Sequence, residues 1–336
     1  MRFILFIVSF IVVAPQVLAN SEVVNIYSFR EAKLIAPLID KFSASTGIKV
    51  NVVSGKAGKL MKRLIKDGEN SFADVILTTN VARLEKAKQL GLLQPANSEF
   101  LSKAVPAELR DPEGYWFGIS LRARAIFYAK DRVDPKTINT YADLIDAKWK
   151  GRVCSRKGGH IYNRAMIASF IDRFGEEWTQ NWVNKLVENL AMRPTGGDRD
   201  QLRNIKKGAC DIALANSYYF GMMSQSSKQQ DRQVYNSVGV IWPDQSQFGS
   251  HVNISGAAIT NAAKNKVNAQ TFIEYLLMEE AQAIYSEINH EYPVRADIEV
   301  GDLLNSWGTF KADTKAIRNL NQYLSVADKI IAKSGW

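Results

Sequence analysis

The sequence predicts an α/β protein of two domains, each a mostly parallel sheet flanked by helices. Short apolar runs alternate with amphipathic helical stretches at the spacing of βαβ units. About 317 residues remain once a leader is set aside, more than one typical domain and enough for two cores. Glycines close several helical stretches, and neither a repeat nor a low-complexity linker interrupts the pattern.

The leader comes first. Met1-Arg2 is followed by an apolar run over 3–14, then Pro15, then Val17-Leu18-Ala19, a cleavage site of the A-x-A type. Residues 1–19 therefore read as a secretory signal peptide. Its apolar run is too short for a hydrocarbon core that needs about twenty residues, and no later segment is long and apolar enough to try. The expected mature chain starts at Asn20 or Ser21 and is soluble and exported. Asn20, where a lipid anchor would need cysteine, fits a free protein of the periplasm. It carries 42 basic against 34 acidic residues, spread along its length. Groups such as Lys59-Leu60-Met61-Lys62-Arg63 alternate with apolar residues at helical spacing and read as solvated helix faces, so no nucleic-acid partner is expected.

From Val23 the elements follow in order. Residues 23–27 read as a strand and 31–45 as a helix, with Leu34, Ile35, Leu38, Ile39 and Phe42 on one stripe and Gly47 as its stop. Strand 48–53, helix 59–66, strand 73–77 and helix 81–90 continue the alternation, which makes right-handed βαβ units. Later come strand 124–129, a short strand 151–154, helices near 162–174, 176–190 and 198–207, and strand 211–215. Strands 238–242 and 254–260 precede helices near 268–288 and 312–332.

The stretch from Cys210 to Met222 draws most attention. It begins as an apolar strand, reaches Asn216-Ser217, which suit a helix N-cap, and then sets Tyr218 beside Tyr219. Adjacent side chains oppose one another in a strand and diverge by roughly 100° in a helix. At a strand-to-helix corner, two successive phenols can turn toward one point. The ordinary alternative is one tyrosine in the core and one on the surface. Ligands of open α/β sheets bind beyond the carboxyl ends of strands. Tyr27 ends the first strand, Tyr162 follows the loop after 151–154, and Tyr218-Tyr219 follow strand 211–215. All four tyrosines fall where ligands belong.

Cys154 and Cys210 each lie eight residues before a tyrosine of this set. In an oxidising compartment an isolated pair reads most simply as a disulfide, two buried thiols being the alternative. The bond would tie both tyrosine-bearing units together.

Ile26-Tyr27-Ser28-Phe29-Arg30, Ser120-Leu121-Arg122-Ala123-Arg124, His160-Ile161-Tyr162-Asn163, Asn216-Ser217-Tyr218-Tyr219 and Glu291-Tyr292-Pro293-Val294 together resemble the periplasmic ferric-iron-binding proteins of ABC transporters. The resemblance covers essentially the whole mature chain. It implies a two-lobed, type II-like substrate-binding protein, monomeric and without catalytic residues, whose cleft closes on Fe(III) and then docks on an inner-membrane permease. Tyr27, Tyr162, Tyr218 and Tyr219 are its implied iron ligands. Many members place histidine before the first tyrosine, where this chain has Ile26, so the expected site is dominated by tyrosine and completed by water or a small anion. The implied lobes are 20–120 with 249–299, and 121–248 with 300–336, the latter holding the C-terminal helices.

The chemistry agrees. Fe(III) is a small, hard cation and phenolate a hard anionic donor. Four phenolates around a 3+ ion leave one negative charge, which a nearby arginine would offset. Arg122, with Arg124 second, resembles the family's supporting arginine; an ordinary strand-edge ion pair is the alternative for both. His160, His251 and His290 show no zinc spacing, and His160 reads as a group beside the site or on the surface. No G-x-S-x-G elbow supports hydrolysis. The rival for the same fold is a small organic cation, such as a polyamine or thiamine, in an aromatic box.

Overall fold

The computed structural model describes residues 23–336; the signal peptide expected over 1–19 lies outside the described residues. The chain opens β1 (Val23–Ser28), α1 (Ala32–Thr46), β2 (Lys49–Ser54), α2 (Ala57–Asp67), β3 (Val75–Thr78), α3 (Val81–Gln89), β4 (Leu93–Gln94) and α4 (Glu99–Ala104). A long strand, β5 (Phe117–Ala129), follows, then β6 (Val153–Cys154), α5 (Ile161–Phe174), α6 (Glu176–Asn189), α7 (Asp198–Lys206), β7 (Ile212–Asn216), α8 (Ser217–Ser224), α9 (Gln229–Ser237) and β8 (Val238–Ile241). The rest comprises β9 (Ser250–Thr260), α10 (Lys266–Tyr275), α11 (Glu279–Glu287), α12 (Asp302–Asn305), β10 (Ala312–Asp313) and α13 (Leu320–Ser334).

The strands run in the order β2-β1-β3-β9-β5-β7-β6, with β4 and β10 beside β9 and β8 beside β5. β1 pairs in parallel with β2 and β3, and β6 with β7, as βαβ spacing demands. The centre differs from expectation. β9 runs antiparallel to β3 and β5, and β5 antiparallel to β7 and β8, so the sheet is mixed rather than mostly parallel. β5 changes partners midway: Phe117 to Ala123 face β9, whereas Arg124 to Tyr128 face β7. Two long strands thus join the half built on β1–β3 to the half built on β6–β8.

Other boundaries move for local reasons. The helix expected near 268–288 is two, α10 and α11, separated at Leu276-Leu277-Met278, where Leu276 and Leu277 are fully buried. The last helix starts at Leu320, and α13 packs on α5 and α6. Among the described residues no helix is long and apolar enough to cross a membrane.

Cys154 and Cys210 form a disulfide across a separation of 56 residues, with Cα atoms 5.9 Å apart. It joins the strand before the Tyr162 loop to the strand before Tyr218. Closing that loop stabilises the fold by about 4 kcal/mol in the chain-entropy model. Urea unfolding of the double variant Cys154→Ser/Cys210→Ser should show a loss approaching that size, and an unchanged midpoint would refute it.

Candidate metal centre

β7 supplies the frame. Its last residue, Asn216, lies opposite Arg124 of β5, and α8 begins at the next residue. At this corner the Tyr218 and Tyr219 rings lie 4.1 Å apart between centroids, inclined by 32°. Tyr162, in the first turn of α5, reaches them from the neighbouring strand-loop unit, its hydroxyl 3.0 Å from that of Tyr218. His160 caps α5: its Nδ1 accepts the Tyr162 backbone N–H and its ring stands edge-on to Tyr162 at 4.5 Å. Three of the four expected tyrosines converge.

Tyr27 is not brought to them. It is fully buried, its hydroxyl has no hydrogen-bond partner, and its ring lies 5.4 Å beneath the Arg63 guanidinium of α2. Burial raises its pKa, with the Arg63 charge acting against that rise. Successive side chains of a strand leave on opposite faces, so a residue can stand at the right end of β1 and still point toward α2.

The two arginines are not strand-edge groups. Arg122 is buried at 2% exposure and its guanidinium lies about equally far from the Tyr162 and Tyr218 rings, 6.0 and 5.9 Å from their centroids. Its Nη2 donates to the carbonyls of Thr79 and Ile254, while Nε has no partner. Arg124 lies two residues deeper and works on the frame. It donates to Asp198 at 2.9 Å, to Asn216 at 3.0 Å and to Asn163 at 2.7 Å. Asp198 also accepts the Asn216 backbone N–H at 3.0 Å, which fixes the corner where α8 begins. One arginine faces the phenols; the other holds their supports.

Residues that periodicity did not single out complete the pocket. It is a cavity of about 140 Å³ lined by the three phenols with Arg30, Glu31, Thr79, Arg122, Arg199 and Glu291, among others. Arg199 lies over the Tyr219 ring at 5.4 Å and Arg156 over Tyr162 at 5.3 Å. Arg30 and Glu291 form a buried bidentate pair, at 2.6 and 3.1 Å, and Ser120 and Ser255 both bond the same carboxylate. Burial would raise the Glu291 pKa, but Arg30 and Arg122 outweigh it and hold the group below the usual carboxylate range. Glu31, at the N-cap of α1, is the exposed carboxylate of the pocket, 3.2 Å from Lys33. A glutamate there is already explained by the helix dipole, which hides any second role in the sequence. A roomier groove of about 740 Å³ lies along Arg156, Lys157 and the C-terminal helix, but no tyrosine lines it.

Tyr218 and Tyr219 are strongly biased toward their neutral form. Burial, then the neighbouring Tyr162 and Tyr219, push the Tyr218 pKa well above 10, with Arg122 pulling the other way. Burial and Tyr162 raise Tyr219 likewise. Such phenols ionise when a cation of high charge takes the place of their protons. A hard trivalent ion suits that exchange. Among the described residues, no group of three or more His, Cys, Asp or Glu side chains is placed to hold a metal.

The chain matches the model of the bacterial extracellular solute-binding proteins over residues 70–316. It is 42% identical to iron uptake protein A1 of Synechocystis sp. over 317 residues, 94% of this chain and 88% of that one. Its fold superposes with a TM-score of 0.90 on a Trichodesmium protein solved in complex with iron and citrate ligands, at 41% identity and covering 94% of this chain and 99% of the other. The Bordetella ferric binding protein aligns with a TM-score of 0.87 at 41% identity, over 93% and 99% of the two chains. The α/β architecture is therefore that of the two-lobed solute-binding proteins. On sequence and fold together, the chain belongs to the bacterial extracellular solute-binding protein family.

Proposed function

We propose that the protein is the substrate-binding component of an ABC importer, capturing ferric iron between its lobes in the periplasm and delivering it to an inner-membrane permease. The carrying observation is the convergence of three phenols in a small pocket ringed by guanidinium groups. The names of its relatives support the same cargo. Tyr162, Tyr218 and Tyr219 bind the ion as phenolates, and Glu31 offers a carboxylate from the opposite lobe. Tyr27, expected as a fourth ligand, is left out because its side chain faces α2. Three phenolates neutralise Fe(III); a carboxylate adds one negative charge, which Arg122 offsets. Arg124 acts through Asp198, Asn163 and Asn216.

We keep lobe 1 as 20–120 with 249–299 and lobe 2 as 121–248 with 300–336, the crossings lying in β5 and at the start of β9. The protein acts as a monomeric carrier and performs no catalysis. An organic cation fits less well. The ring faces it would need already carry Arg122, Arg156 and Arg199, and a cavity of about 140 Å³ falls short of the roughly 300–1,000 Å³ of organic-ligand sites.

The test is a visible absorption titration of the metal-stripped protein with Fe(III)-citrate. Phenolate-to-iron charge transfer should turn it orange to red at one equivalent. A colourless protein under every condition would sink the iron reading, and mass spectrometry of the protein as isolated would then search for an organic ligand.

A further inference from the structure

α8 carries an oddity two residues beyond Tyr219. Gly221 sits inside the helix, where glycine costs about 1 kcal/mol relative to alanine. The reason lies across the cleft. A Cβ added at Gly221 would come within 2.5 Å of the Cβ and Cγ of His290 and within 2.8 Å of its Cδ2. The bare helix backbone is therefore seated directly on an imidazole.

His290 is itself held in an unusual state. Its φ is +55°, in the left-handed region that residues other than glycine adopt uncommonly, histidine, asparagine and aspartate more readily than the rest. It is 2% exposed, and its Nδ1 has no partner. Such backbone strain persists where the surroundings over-determine it. Here they do. The next residue, Glu291, is clamped by Arg30, Ser120 and Ser255, and its backbone N–H donates to Tyr285. Tyr292 exchanges two backbone hydrogen bonds with Leu121 of β5, at 2.7 and 2.9 Å. The imidazole is thus a fixed stop on lobe 1, and α8, which carries two of the phenols, rests on it from lobe 2.

We propose that Gly221 and His290 are a positioning pair that sets how far the lobes close, and so where Tyr218 and Tyr219 stand relative to Glu31. This rests on the iron reading and the lobe assignment above. In an α-helix two residues span about 3 Å along the axis, so a shift imposed at Gly221 passes undamped to the phenols. A side chain at 221 wedges the cleft open. The same substitution improves local helix propensity, so a loss of binding cannot come from a weakened helix.

The experiment compares wild type, Gly221→Ala, His290→Gly and the double variant. Each is read by Fe(III) titration and by small-angle scattering with and without iron. Gly221→Ala should bind iron at least about tenfold more weakly and fail to reach the wild-type radius of gyration when loaded. The double variant, freed of the clashing Cβ, Cγ and Cδ2, should recover both. Wild-type affinity and compaction in Gly221→Ala, or no recovery in the double variant, overturns the proposal. Should Gly221→Ala not fold, His290→Gly alone decides: glycine suits φ +55°, and loss of the stop should hasten iron transfer to a competing chelator severalfold, whereas an unchanged rate overturns the proposal. A wild type that neither colours nor contracts with iron refutes the iron reading itself, and this inference with it.

Discussion

Tyr218→Phe should strip the protein of its ferric iron while Tyr27→Phe leaves binding intact. Tyr218 stands at the middle of the cluster, its hydroxyl 3.0 Å from that of Tyr162 and its ring against Tyr219. Removing that oxygen deletes a ligand and leaves the 3+ charge with two phenolates. Losing a supporting contact around a metal costs roughly ten- to hundredfold in affinity, and loss of a direct ligand should exceed that. The charge-transfer band should weaken or vanish in the same variant. Arg122→Gln, which removes an offsetting charge and no ligand, should fall within the supporting range. Tyr27→Phe removes a buried hydroxyl without a partner and keeps the ring beneath Arg63, so its band and affinity should match wild type. Competition against a chelator of known affinity, with the spectrum recorded alongside, measures all three. Loss of the band in Tyr27→Phe would return that residue to the ligand set.

The contrast between these tyrosines shows how far the sequence could be followed. A tyrosine just after an apolar run marks the end of a strand where ligands of α/β sheets bind, and that signal picked out Tyr162, Tyr218 and Tyr219, whose phenols the fold brings together. It located Tyr27 as well, because proximity to a strand end says nothing of which face a side chain leaves. The βαβ units were legible for the same local reason. The connecting strands were not. In Phe117-Gly118-Ile119-Ser120-Leu121-Arg122-Ala123 every residue is buried, yet alternate ones are small or polar, so the first half of β5 does not read as a central strand. Ser120 donates there to Glu291, and Arg122 Nη2 to the carbonyls of Thr79 and Ile254, partners 43 to 171 residues away. The same distance hid the Arg30–Glu291 clamp, whose members are separated by 261 residues. Long-range polar satisfaction leaves no periodic trace.

Acidification should release the iron steeply, and the slope should count the ligands. Burial and neighbouring phenols hold Tyr218 and Tyr219 above 10, so both are protonated in the empty protein throughout the neutral range. Each phenol that binds must give up its proton, and each proton displaced lowers affinity about tenfold per unit of falling pH. Three phenols therefore predict a slope near three in the logarithm of affinity against pH, about a thousandfold between pH 7 and pH 6. For Tyr218 and Tyr219 the slope should not flatten toward pH 9, because their raised pKa values keep both neutral there. Chelator competition at several pH values, corrected for the chelator's own protonation, reads it directly. A slope below about one would remove phenolate ligation altogether. A slope near four would require another ionising ligand, Tyr27 being the first to test, and its loss in Tyr27→Phe would decide the matter independently of colour. Reduction should act in the same direction, since Fe(II) offers one positive charge fewer to hold the same phenolates against their protons.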